Sequence, residues 1–410
     1  MSGLDRWWLW RTQSTVVLSP VLVVLGCLVS LSNADYADPY WLDLSSKSTV
    51  SVLFLAPGFA ALAAWDGARW RRLAPAAVRS WIALLALCLS AVALATLLTF
   101  AITLLVLDVQ VRPAGGAPRL DVLALGVLVV SAYAAVGFVL GRYLPRLIAA
   151  PLAFGLVWGW VAFTPAVQPF WMRNVTGNLG TSCCALDVEL VPLALVAPGL
   201  LAVALLASAA VVLAWSWRRA AWVVAALLVA GSLAAAASMM RPVGADPVQR
   251  RTGSQVCVTA GSRSFCAWPE HDGRLRRAAP SLGRTAQRLA ATGLDVPPRL
   301  RESTRAPGGW SFSLGGGNPD QWGKTLAVSP LDELPPPCTD RTGGVWPAGE
   351  NLELAGAWLL TAGGADEAFA AEAQGASLRR LRELRALPVG DQVHWYARAY
   401  AAMQTCEPVS

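Results

Sequence analysis

From Ala220 to Met240 the chain runs without a charged residue, between Arg218-Arg219 on one side and Arg241-Pro242 on the other. A helix rising ~1.5 Å per residue makes such a run long enough to cross a hydrocarbon core of ~30 Å. The flanking arginines predict its direction. Short basic segments resist translocation, so Arg218 and Arg219 are expected on the inner side. Everything after Pro242, including four of the eight cysteines, is then expected outside.

The rest of the first 240 residues fits that reading. Only 14% of the 410 residues are charged and 55% are hydrophobic, whereas soluble domains carry about 25% charged residues. Apolar runs over roughly 15–31, 49–65, 80–107, 120–140, up to about 163, 190–214 and 220–240 predict seven spans. The third, at about 28 residues, is the one that a miscount would split. With the N-terminus inside, ten arginines fall in inner segments, among them Arg69, Arg71, Arg72, Arg142 and Arg146. Four basic residues (Lys47, Arg112, Arg119, Arg173) fall in outer ones. The bias gives N-in and C-out. The segment Asp5-Arg6-Trp7-Trp8-Leu9-Trp10-Arg11 reads as an interfacial collar. The net charge of +7 sits in these short segments and does not point to nucleic acid.

Cysteine usage supports the same orientation. Cys27 and Cys88 lie in apolar runs and read as small buried hydrophobes. Cys183, Cys184, Cys257, Cys266, Cys338 and Cys406 all fall in segments assigned to the outside, where an even number reads as a disulfide framework. Cys183-Cys184 admits pairing elsewhere, a vicinal bridge, or soft-metal binding beside Met172; disulfide pairing is the simplest of these.

No Asp, Glu, Lys, Arg or His falls inside the seven apolar runs, and Asp108 and Asp121 lie at span ends. Coupled carriers place ionisable groups at mid-membrane, so a self-powered secondary transporter is disfavoured. The stretch from Gly315 to Thr325 superficially resembles a nucleotide-binding loop. Asn318, however, stands where the motif needs its first glycine. There are two histidines, His271 and His394, and neither has zinc-ligand spacing. No nucleophile elbow occurs. Catalytic residues, metal and cofactor are therefore not assigned.

The arrangement of collar, basic segment after the second span (Asp66, Arg69, Arg71, Arg72) and basic turn at Arg142 and Arg146 resembles the permease subunits of ABC-2-type exporters. The resemblance covers about residues 1–215 and rests on architecture. It implies that Asp66, Arg69, Arg71, Arg72, Arg142 and Arg146 face a separate ABC ATPase, in a homo- or heterodimer. A seventh span and an outer tail depart from the six-span pattern of that family.

In the tail, Val256–Thr259 and Ser264–Trp268 predict a hairpin with Cys257 opposite Cys266 and a bond between them. Pro280 is expected in the first turn of a helix reaching Thr292, with a short strand at Thr325–Val328. Further helices are expected over 350–361, 366–387 (broken at Gly375) and 391–404. Cys338 and Cys406 then make the simplest second bond. The segment around Cys257 and Cys266, Pro269-Glu270-His271, Leu294-Asp-Val-Pro297 and Trp395-Tyr396 up to Cys406 are similar to uncharacterised extracytoplasmic domains. Those domains end membrane proteins found beside ABC ATPases in high-GC bacteria.

The expected architecture is a polytopic α-helical protein of the bacterial cell membrane, with seven spans in residues 1–240 and N-in. A small α+β, disulfide-bonded extracytoplasmic domain follows over 241–410. The expected function is the membrane subunit of an ATP-driven exporter, without enzymatic activity of its own. The alternative is a membrane-tethered binding or sensing domain that does no transport.

Overall fold

A computed structural model describes residues 12–32, 34, 37–73, 81–113, 116–179, 185–215, 219–303, 310–315, 319–331 and 349–405. The chain divides into two compact units, Met1–Arg250 and Arg251–Ser410.

The first unit is helical. Its elements are α1 (Ser14–Val17), α2 (Ser19–Leu31), α3 (Trp41–Ser48), α4 (Val52–Leu73), α5 (Trp81–Val111), α6 (Leu120–Tyr143) and α7 (Arg146–Trp158). Strand β1 (Val188–Leu190), α8 (Leu193–Ala214), α9 (Arg219–Met240) and β2 (Val248–Arg250) complete it. Among the described residues, six helical stretches are long and apolar enough to cross a membrane: Trp41–Arg71, Trp81–Val111, Leu120–Tyr143, Arg146–Ala166, Leu193–Ala214 and Arg219–Met240. Their outward faces carry Leu98 and Leu105 on α5, Leu147 and Phe154 on α7, and Val223 and Leu227 on α9. Exposed apolar area on that scale suits lipid contact better than water.

Two boundaries differ from the sequence reading. The first apolar run is broken at Leu18 into α1 and α2, with Pro20 in the first turn of α2. Proline supplies no N–H, so a helix starts there more readily than it continues through. At 13 residues, α2 alone spans only ~20 Å. The second run starts earlier than expected, because α3 passes through the 3₁₀ turn Thr49–Ser51 into α4. Asp43 is thereby helical and buried, and accepts the backbone N–H of Asp38 at 2.8 Å. The third run is one helix of 31 residues, not two.

Helices α4 and α6 run side by side in the same direction. A Cβ at Gly137 would overlap the carbonyl of Ala60, and one at Gly141 the carbonyl of Ala64. Gly67 faces Phe138 in the same way from the other helix. Glycines four residues apart let two backbones meet directly, the small-residue seam of membrane helices. Around it lie Phe59, Ala63, Phe138 and Leu55, all fully buried.

The chain does not leave this unit at Pro242. Asn174 donates to the carbonyl of Gly244 (3.0 Å), and Arg173 bonds the Ala245 carbonyl (2.8 Å) and pairs with Asp246 (2.9 Å). Strand β2 then pairs antiparallel with β1, Val188 opposite Arg250.

The second unit contains β3 (Val256–Ala260), β4 (Arg263–Ala267), α10 (Asp272–Ala291), β5 (Arg299–Glu302), β6 (Ser311–Phe312), α11 (Pro319–Val328), α12 (Gly349–Ala362), α13 (Glu367–Gln374), α14 (Leu378–Arg385) and α15 (Val389–Thr405). The sheet order is β3-β4-β5-β6; β3 and β4 form an antiparallel hairpin, and the other two pairings are parallel. Gly261 (φ +65°) turns the hairpin in two residues, one position where glycine is favoured. Phe265, Leu300 and Phe312 meet Leu282, Trp322, Leu326 and Trp358 in one core.

Helix α10 begins two turns before Pro280, which lies inside it on an exposed face. Leu275, Ala278, Leu282, Ala286 and Leu289 carry the buried stripe straight past the proline, so packing outweighs the missing hydrogen bond. The stretch at 325–328, expected as a strand, is helical in α11. Trp322 and Leu326, one turn apart, fill the core, and a four-residue apolar run cannot tell the two states apart by period. Helices α13 and α14 are separated at Gly375, whose φ of +70° closes α13.

The seam gives a differential prediction. Gly141→Leu forces a side chain into the Ala64 backbone and is expected to cost several kcal/mol, beyond the ~1–3 typical of overpacking. Gly155→Ala in α7, where nothing lies within 4 Å, is expected to be neutral or stabilising by ~0.5–1 kcal/mol. Thermal unfolding midpoints of the detergent-solubilised protein should fall sharply for the first and not for the second.

Candidate functional site

The C-terminal ends of α4 and α6 and the start of α7 lie together, because the glycine seam holds α4 and α6 in register. Four of the charged residues singled out in the sequence meet there. Arg71 donates to the carbonyl of Tyr143 at 2.9 Å. The Arg142 guanidinium lies 4.4 Å from the centre of the Trp81 ring, and that of Arg146 lies 5.0 Å from Trp65. Tyr143 packs edge-on against Trp222 of α9, with centroids 5.0 Å apart. Arg69 donates to the carbonyl of Thr12. The result is one helix-bundle end where arginines lie over aromatic rings, a geometry worth ~0.5–1 kcal/mol per exposed pair.

Asp66 has a different place. It is fully buried on α4, and its carboxylate accepts the backbone N–H groups of Ser14 (2.8 Å) and Thr15 (3.0 Å) and the Thr15 hydroxyl (3.1 Å). It therefore satisfies the free N–H groups at the start of α1 and fastens the N-terminal segment to α4. Sequence reading put Asp66 in an open loop because α4 continues about two turns past the expected Thr49–Trp65 pattern into charged residues. The Arg72 side chain and residues 1–11 lie outside the described residues.

In the second unit, Cys257 and Cys266 pair across the hairpin and form a disulfide. Cys183, Cys184, Cys338 and Cys406 lie outside the described residues. Cys27 and Cys88 are free and buried.

His271 and Glu302, 31 positions apart, form a buried pair, with side-chain exposures of 0% and 5%. His271 Nδ1 is 2.6 Å from Glu302 Oε1, and Arg274 Nη1 is 3.0 Å from His271 Nε2. Guanidinium only donates, so Nε2 accepts and Nδ1 carries the proton given to Glu302. Glu302 also accepts the backbone N–H groups of Trp268 (3.2 Å) and Leu314 (3.1 Å), and Arg274 donates to the Leu314 carbonyl (3.1 Å). Beside it Arg251 pairs with Glu270 at 2.7 Å and lies 4.6 Å from the Trp268 ring. Both imidazole nitrogens and both carboxylate oxygens are engaged within the fold. This latch ties β4, α10, β5 and the strand end after β6; it is not an open reactive site. Sequence reading missed Glu302, because an Arg-Leu-Arg-Glu strand carries no apolar pattern. No group of three or more His, Cys, Asp or Glu placed to hold a metal occurs among the described residues.

Lys324 and Thr325 of the pseudo-nucleotide motif sit within helix α11, where the Thr325 hydroxyl bonds the Ser313 backbone (3.0 and 3.1 Å). A phosphate-cradling loop would instead place them at the start of a helix.

Residues 265–406 match a family described as a Domain of unknown function (DUF7224). No curated protein and no solved structure matches the chain.

The latch predicts that Glu302→Ala, which strands His271 and two backbone N–H groups, lowers stability by about 3–5 kcal/mol. Glu383→Ala, on an exposed 3.9 Å pair with Arg379, should stay within ~0.5 kcal/mol. Hydrogen exchange read by mass spectrometry should show faster exchange at Trp268 and Leu314 in the first variant alone.

Proposed function

We propose that the chain is the membrane subunit of an ATP-driven exporter, working with a separate ABC ATPase in a homo- or heterodimeric complex. The observation that carries this reading is the gathering of Arg69, Arg71, Arg142 and Arg146 at one end of α4, α6 and α7. Helices locked backbone to backbone transmit a push at their ends along their whole length. In this reading ATPase closure bears on the arginines and tilts α4 and α6 together. Asp66 holds the N-terminal segment against the lever rather than meeting the partner. α1 and α2 together supply the seventh span.

The orientation rests on charge: the arginine-rich end faces the cytoplasm, and aromatic rings such as Trp65, Trp81 and Trp222 mark the interface. The second unit then lies outside, in an oxidising compartment that suits the Cys257–Cys266 bond. There it gates or receives what is exported.

Affinity purification of the solubilised native protein tests the proposal. A stoichiometric ATPase with vanadate-sensitive hydrolysis is expected. Arg71→Glu and Arg146→Glu should reduce its recovery at least tenfold while leaving the thermal midpoint of the membrane subunit within a few degrees. A protein recovered without an ATPase would refute the exporter reading in favour of a tethered binding or sensing domain.

A further inference from the structure

The second unit holds a cleft between α10, α11 and the turn after α12, of about 160 Å³. Its walls carry Arg284 and Arg288 of α10, Lys324 of α11, the hydroxyls of Ser281 and Thr285, and the backbone of Gly364. We infer that it is a binding site for one phosphate-type oxyanion, either free or borne by a headgroup. The exporter reading is not required for it.

Charge is the first reason. The lining holds three cations and no carboxylate. Other arginines of α10 are engaged: Arg274 with His271, and Arg276 with Asp272 at 3.2 Å. Arg284, Arg288 and Lys324 form no ion pair among the described residues. Arg284 and Arg288 stand one turn apart on the same helix face, where like charges repel by ~0.2–0.5 kcal/mol. A bound anion turns that repulsion into attraction, and guanidinium suits phosphate because it offers paired N–H donors.

Geometry is the second. Lys324 is steered by the Phe369 ring, with Nζ 3.6 Å from its centre. Gly364, at φ +103°, leaves no side chain where the Arg288 guanidinium crosses the turn; a Cβ there would overlap it. Thr285 is buried and Ser281 half-buried, so their hydroxyls belong to the cleft floor and can donate to an oxyanion. Size is the third. Sites for drug-sized molecules run to about 300–1,000 Å³, so this cleft suits one small anionic group.

Isothermal titration of the full chain in neutral detergent at low ionic strength tests the inference, because exposed charges are screened by salt. The probes are inorganic phosphate and glycerophosphoglycerol, a water-soluble phosphodiester headgroup. Saturable binding of at least one is expected. Binding of phosphate alone identifies a free oxyanion as the ligand, and binding of the diester, alone or more tightly, identifies a headgroup. Arg288→Gln and Lys324→Gln should each weaken it at least threefold and the double variant at least tenfold. Arg277→Gln, which removes a charge from α10 outside the cleft, should change nothing. Absence of saturable binding by either probe, or equal loss in Arg277→Gln, would overturn the inference.

Discussion

Everything in the first unit depends on two helix backbones being allowed to touch. At Gly137 and Gly141 the space that a side chain would need is occupied by the carbonyls of Ala60 and Ala64. That contact fixes the register of α4 against α6, and register decides what meets at their C-terminal ends. Arg71 reaches the carbonyl of Tyr143 only because Gly67 brings α4 within contact of Phe138 and Arg142. A seam of small residues matters more in lipid than in water, since lipid offers no hydrophobic drive to associate helices and close packing must supply it. The position of Asp66 follows as well, since the helix that the seam fixes presents its carboxylate to the first N–H groups of α1.

The second unit is organised by a polar contact instead. Glu302 is a buried carboxylate whose oxygens accept from an imidazole and two backbone N–H groups. Burying such a group is costly unless each acceptor is paired. Once paired, it joins four separate segments at a single point. The hairpin is closed twice on its other side, by pairing and by the Cys257–Cys266 bond. With the sheet and α10 held in this way, Arg284 and Arg288 of α10 and Lys324 of α11 line a shared cleft.

What the sequence made legible were the features written as long repeats or as single strong tokens. The apolar runs located the later helices closely, α9 above all, because charge bounds them sharply. The helix start at Asp366, which proves to be its N-cap, and the break at Gly375 were readable because each has a definite backbone role. The Cys257–Cys266 register followed from alternation about a turn. Three things were not readable. The extension of α4 through Asp66 is hidden among charged residues that resemble a loop. Strand β5, Arg-Leu-Arg-Glu, conceals its one apolar residue, Leu300, between arginines and owes its place to parallel partners far along the chain. Helix α10 carries a proline that propensity alone would place at its start. In each case tertiary contacts override the local pattern, and the partner's identity is not encoded nearby. The Gly137 to Gly141 spacing was in principle visible, yet it acquires meaning only once α4 is known to lie opposite.

The central claim is that α4 and α6 deliver their arginine-rich ends to the cytoplasm while residues 251–410 lie outside. Alkaline phosphatase fused after Ser410 reports this directly, since that enzyme matures only where disulfides form. The account predicts high phosphatase activity in intact cells and no fluorescence from a green fluorescent protein fused at the same point and exported through the general secretory route. An inactive phosphatase with a fluorescent counterpart would place the second unit in the cytoplasm and contradict it.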